Sequence, residues 1–158
     1  FGRPVVPIFT PADQKFIIGK AITFREGTDI SIFATGHMVW KALEASVILA
    51  EKGISAEIIN IHTIKPLDQE AVLHSVRKTG CAVSAEEHQV FGGLGDAIAQ
   101  TLVRNYPAPQ EFIGINDSFG ESGTPEQLMI KYGLEAVNIV AAAEKVLERK
   151  KAELSTSG

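Results

Sequence analysis

The sequence predicts an open α/β fold: a mostly parallel sheet with helices on both faces and one antiparallel strand at its start. Short β-branched runs alternate with segments of helical apolar spacing through the whole body of the chain. Most of the helical segments are bracketed by recognisable start or stop residues. A length of 158 residues with 45% apolar content suits one domain with a core of its own.

Taken in order, residues 1–15 carry Pro4, Pro7 and Pro11, which exclude a helix and mark 1–19 as a linker or edge segment. Ala21-Ile22-Thr23-Phe24 and Ile30-Ser31-Ile32-Phe33-Ala34 read as strands. The short Arg25 to Asp29 connection has turn chemistry in Gly27 and Asp29, and by itself it suggests that these two strands pair directly in opposite directions. From His37 to about Lys52, Val39, Leu43, Val47 and Ala50 recur at helical spacing, and Gly53 follows as a stop. Ala56 to Ile61 is the next strand. Asp68 then caps a helix with Val72, Leu73 and Val76 inward, Arg77 and Lys78 near its negative end, and Gly80 beyond.

The second half repeats the alternation. Cys81 to Ala85 is a strand, Gly92 and Gly93 open a helix with Leu94, Ile98 and Leu102 on one face, and Phe112 to Ile115 is the last strand. Thr124-Pro125-Glu126-Gln127 forms a capping box with proline in the first helical position, and that short helix stops at Gly133. The final helix turns Val140, Ala143 and Leu147 inward and frays into a charged, then serine-rich, tail.

Composition excludes several function classes. Fifteen basic against nineteen acidic residues give a formal charge of −4, with no block of like charge to attract nucleic acid or anionic lipid. Cys81 is the only cysteine and lies in an apolar run, so it reads as a core residue. No apolar stretch approaches the roughly 20 residues that span a bilayer, and no leader opens the chain, so a cytoplasmic location is the expectation. The first residues, Phe1-Gly2-Arg3-Pro4, contain no initiator methionine, and we expect a longer polypeptide upstream.

Ligands of such sheets sit outside the carboxyl ends of the strands. The residues to weigh there are Thr35-Gly36-His37, Asn60 to Lys65, Glu86-Glu87-His88 and Asn116-Asp117. No two have the tight spacing of a metal motif, so no metal site is expected. Gly92-Gly93-Leu94-Gly95-Asp96 could cradle an anion at a helix start, but it lacks a dinucleotide fingerprint and Asp96 would repel phosphate. Close packing of helix on strand is the preferred reading of these glycines. Phe119-Gly120-Glu121-Ser122-Gly123 lacks the frame of a nucleophile elbow and reads as a turn.

Four stretches resemble, in order and spacing, the carboxy-terminal domain of transketolases: Thr63-Ile64-Lys65-Pro66-Leu67-Asp68, Ala85-Glu86-Glu87-His88, Gly92-Gly93-Leu94-Gly95 and Ser122-Gly123-Thr124-Pro125-Glu126-Gln127-Leu128. The likeness runs from Phe1 to about Leu147. It implies a three-layer α/β/α fold whose five-stranded mixed sheet has the order 1-3-2-4-5 with strand 1 antiparallel. It divides the chain into a junction at 1–19 from an upstream pyrimidine-binding domain, the transketolase domain at 20–150, and a flexible tail at 151–158.

The resemblance also implies a parent enzyme of the pentose phosphate pathway, which moves a two-carbon ketol unit between sugar phosphates with thiamine diphosphate and a divalent metal, Mg or Ca. Both would be bound by upstream domains, in the same chain or a separate subunit, within a homodimer. This domain would bind neither, carry no catalytic residue, be inactive alone, and act in assembly. In the family, an arginine in the context matched by Gly2-Arg3-Pro4 contacts the substrate phosphate, so Arg3 is the implied substrate-phosphate-binding residue; detached from its domain it also reads as a plain terminal charge. Similar domains end 1-deoxyxylulose-5-phosphate synthase and the beta subunit of 2-oxo-acid dehydrogenases. A free-standing regulatory module for a small anion is the reading from another class.

Overall fold

The computed structural model describes residues 17–89, 93–115 and 123–157. The junction before Ile17 with its three prolines and Arg3, Gly92, Asn116-Asp117 and the Phe119 to Ser122 turn lie outside the described residues, as does the side chain of His88.

Five strands form one sheet: β1 (Ile22–Arg25), β2 (Ile30–Ala34), β3 (Ala56–Asn60), β4 (Ala82–Gln89) and β5 (Gln110–Ile115). Their order is β1-β3-β2-β4-β5. β1 runs antiparallel to β3, with a bulge between Thr23 and Arg25, and the other neighbours are parallel. The direct pairing of the first two strands that their short turn suggests does not form. Gly27 shows why: a Cβ at that position would fall 2.3 Å from both the carbonyl carbon of Ala56 and the nitrogen of Glu57. The turn is thus pressed onto the start of β3, and Gly27 N–H donates to the Glu57 carboxylate at 3.3 Å.

The helices are α1 (Met38–Glu51), α2 (Gln69–Thr79), α3 (Leu94–Asn105), α4 (Pro125–Lys131) and α5 (Ala136–Ser157). α1 and α5 cover one face of the sheet over a core that includes Ile30, Ile32, Ile58, Val83, Leu134 and Ile139; α2 and α3 cover the other over Phe33, Ile59, Val76, Leu94 and Ile98. The alternating side chains of β2 therefore feed both cores, which explains why all of its residues are buried.

Local signals place most helix ends. Asp68 Oδ1 accepts from Ala71 N–H at 3.1 Å, Gly80 closes α2 at φ 83°, and Thr124 and Gln127 complete the capping box of α4. The buried stripe of α1 departs from the expected one. It consists of Met38, Val39, Ala42, Ala45, Ser46 and Leu49, whereas Val47 is 54% exposed and Ala50 is exposed. Eight residues at about 100° each carry Val47 some 80° past Val39, off the buried face. The last helix runs to Ser157, exposed over residues 151–156, where the Ser155 and Thr156 hydroxyls donate to carbonyls one turn back. No helix among the described residues is long and apolar enough to cross a membrane.

Candidate functional site

β2 and β4 are parallel neighbours, yet β2 leads into α1 on one face of the sheet and β4 into α3 on the other. The chain thus leaves the two strands toward opposite faces, which makes their carboxyl ends the switch point where sheets of this kind place their ligands. The segments Thr35-Gly36-His37 and Glu86-Glu87 follow one another across this point, joined by the Thr35 N–H bond to the Ala85 carbonyl at 3.2 Å. The remaining candidates sit further along the edge: Asn60 closes β3 as a buried residue, and His62 lies against the segment before β1. Lys65 is exposed, ahead of a cis peptide bond to Pro66.

The two carboxylates of β4 have different fates. Glu86 is 1% exposed and turns back to α3, where its oxygens accept from Leu94 N–H at 2.9 Å and Gly95 N–H at 2.8 Å. A negative side chain on the first free N–H groups of a helix is a favourable pairing of charge with dipole. The anion that this glycine-opened helix holds is thus one of the protein's own side chains. The packing reading holds for Gly95, since a Cβ there would meet the Phe112 ring at 2.5 Å and Ser84 Oγ at 2.9 Å. Glu86 was visible in the sequence as a strand-end residue, but its capping role was missed because the cap lies eight residues before the helix. The available signal was an acidic residue after a strand, followed by a helix whose preceding residue, Gly93, has no side chain to cap it.

Glu87 and His37 interact electrostatically at this edge. Burial lowers the His37 pKa from its ordinary value of 6.5, opposed by the negative charge of Glu87, with smaller influences from Lys41, Glu135 and Glu44. His37 Nδ1 and Glu87 Oε1 are buried atoms without a hydrogen-bond partner among the described residues. Cys81 lies fully buried beyond the amino end of β4, and burial pushes its thiol up to about 11, so it does not supply a thiolate.

The donor set does not fit thiamine diphosphate. α3 directs its first N–H groups at Glu86 and carries Asp96 in its first turn, both hostile to a diphosphate. The sequence contains no Gly-Asp-Gly stretch, and the described residues form no cluster of three His, Cys, Asp or Glu able to hold a metal. No step of ketol transfer is therefore assigned to these side chains.

Residues 19–139 match the family model described as "Transketolase, C-terminal domain". The chain is 51% identical over 148 residues to the 6-deoxy-6-sulfo-D-fructose transketolase subunit SqwH of Clostridium sp. strain MSTE9, covering 94% of this chain and 46% of that protein. It is 41% identical over 139 residues to 1-deoxy-D-xylulose-5-phosphate synthase of Desulforudis audaxviator strain MP104C, covering 87% of this chain and 22% of the synthase. Among solved structures it is similar to a split gene transketolase described as an inactive beta4 tetramer, with a TM-score of 0.89 and 46% identity over 92% of this chain and 48% of that one. The chain thus spans less than half the length of each of these proteins. The ordered motifs, the 1-3-2-4-5 sheet and these likenesses agree: the chain belongs to the transketolase C-terminal domain family.

Proposed function

We propose that this domain serves a thiamine-diphosphate-dependent transketolase as an assembly element, stabilising the parent dimer while upstream domains bind the cofactor and its divalent metal, Mg or Ca. The observation that carries the reading is the closed carboxyl edge at β4 and α3. Glu86 and Gly95 are committed to internal contacts where an enzyme of this topology would otherwise seat an anionic cofactor. The split transketolases among the relatives support a parent divided into two subunits, with this chain in the half that is inactive alone. A cytoplasmic location accords with the lack of a membrane-spanning helix among the described residues.

Arg3 would read the acidic end of the sugar. Two of the relatives above are named for a sulfo sugar and for a sugar phosphate, and a guanidinium engages either group through paired N–H donors. The substrate class is then a sugar with an anionic terminus. The family likeness includes 1-deoxy-D-xylulose-5-phosphate synthase, so that synthase is the second reading, distinguished by whether the parent forms 1-deoxy-D-xylulose 5-phosphate.

Two measurements test the proposal. Truncating the parent enzyme after Lys20 removes an interface that in stable assemblies buries on the order of 1,000 Å² or more, so its dimer should weaken in sedimentation and its Tm should fall. Titrating the isolated chain with thiamine diphosphate and magnesium should produce no binding heat. A truncated enzyme with the dimer constant and Tm of the intact one would end the assembly reading; micromolar cofactor binding by the isolated chain would end the division of labour.

A further inference from the structure

Before β1 the chain passes Ile17 to Ala21 over the loop that joins β3 to α2, and apolar burial holds only its last residue, Ala21, against the core. Ile17 is 61% and Ile18 80% exposed. Polar contacts hold it instead. Ala21 N–H donates to Asp68 Oδ2 at 2.8 Å, the Ile17 carbonyl accepts from His62 Nε2 at 2.9 Å, and a Cβ on Gly19 (φ 80°) would lie 3.3 Å from the Pro66 ring. Asp68 spends its other oxygen on Ala71 N–H as the N-cap of α2. One carboxylate thus ties the incoming segment to the first turn of a core helix.

We propose that Asp68, assisted by His62, is a latch that fixes the direction in which the chain enters this domain, and so acts as a positioning residue for whatever precedes Ile17. The inference rests on the reading above, in which Arg3 and the pyrimidine-binding domain lie on that upstream side. Without the latch, two exposed isoleucines and a glycine are poor anchors, and the junction pivots. Nothing in a helix cap alone requires an aspartate, because serine and asparagine cap as well. The second oxygen is what the incoming backbone uses.

That difference supplies the test. In the 158-residue chain, Asp68→Ser keeps a cap for Ala71 and removes the acceptor for Ala21. Amide exchange at Ala21 should rise about tenfold or more, as loss of a charge-assisted bond implies, while Ala71 stays within about twofold. Tryptic cleavage after Lys20 should accelerate in parallel. Asp68→Asn can satisfy only one of the two amides, so one of them should exchange faster. In the parent enzyme assembled with thiamine diphosphate and magnesium, Asp68→Ser should raise the KM for ribose 5-phosphate several-fold, with little change in kcat or in the KM for unphosphorylated ribose. Wild-type exchange at Ala21 in the serine variant would overturn the latch. Should Arg3→Ala leave the preference for the phosphorylated acceptor intact, the Arg3 reading falls, and the latch is then judged by exchange and cleavage alone.

Discussion

At the amino ends of the parallel strands the buried polar groups are tied to one another, apart from Gln110 Oε1 at the start of β5, which has no partner among the described residues. The Glu57 side chain, 3% exposed, accepts from Gly27 N–H and from Lys78 Nζ, and Lys78 also reaches Glu26. Ser31 Oγ lies 2.5 Å from Ser75 Oγ and 2.7 Å from Thr79 Oγ1, joining β2 to α2. At the carboxyl ends Glu86 is equally committed, yet beside it His37 Nδ1 and Glu87 Oε1 are buried without partners among the described residues. A satisfied network specifies one arrangement of the core, and an unsatisfied buried atom costs stability. The amino end thus secures the domain, and the cost is concentrated at the end where this topology places its contacts with other groups.

The largest effect should come from overfilling the amino end. A methyl on Gly27 would strike backbone atoms of Ala56 and Glu57 at 2.3 Å, which no rotamer change relieves. Gly27→Ala should cost roughly 3 kcal/mol or more, read from the urea midpoint. A loss below about 1 kcal/mol would show that the turn is free to lift off β3. Next is Glu86→Ala, which strands two buried amides of α3 and should cost about 3 kcal/mol, with Glu86→Gln recovering part of it by accepting one bond. Equal losses in the two variants would mean that side-chain volume, and not the cap, is what matters there.

Much of this was legible in the sequence because the signals are local. Asp68, Gly80, Thr124 and Gln127 act within one helical turn of where they stand, and the sequence places them correctly. Neighbouring order in the sheet is a non-local property: the residues alone favour a β1–β2 hairpin, and the family likeness was needed to put β3 between them. The same limit hid Glu86 as a cap acting across eight residues and Glu57 as a partner of Lys78 across 21. The α1 face was misjudged for another reason. The residues that pack on β2, β3 and β4 include Ala42, Ala45 and Ser46, small side chains that a search for large apolar residues passes over in favour of the exposed Val47. Arg3, carried over from the family, lies outside the described residues and remains part of the proposal.

Acid should separate the two ends of the sheet by pH. Burial alone would push the Glu57 carboxyl up, but bonds from Lys78, Ser75 and Gly27 outweigh it and hold its pKa below the ordinary 4.5. A carboxylate with a depressed folded pKa contributes stability that is complete above 4.5 and is lost as pH falls from there through the folded value. Glu57→Gln should therefore cost about 1–2 kcal/mol at neutral pH and flatten the profile below 4.5.

His37 works in a higher window and with the smallest effect. Burial depresses its pKa below 6.5, so the unfolded chain takes up a proton there before the folded one does. Where the unfolded state binds more protons, stability rises with pH; the domain should lose stability as pH falls below 6.5 and stop losing it once the folded imidazole is also charged. His37→Gln should remove that shallow step while leaving the Glu57 descent below 4.5 in place. Glu87→Gln should make the step larger, because it deletes the neighbouring negative charge that holds the His37 pKa up. Urea melts of the three proteins between pH 4.5 and 7.5 read both effects. A step that survives His37→Gln would assign the titration to another group and leave the carboxyl end without a pH signature of its own.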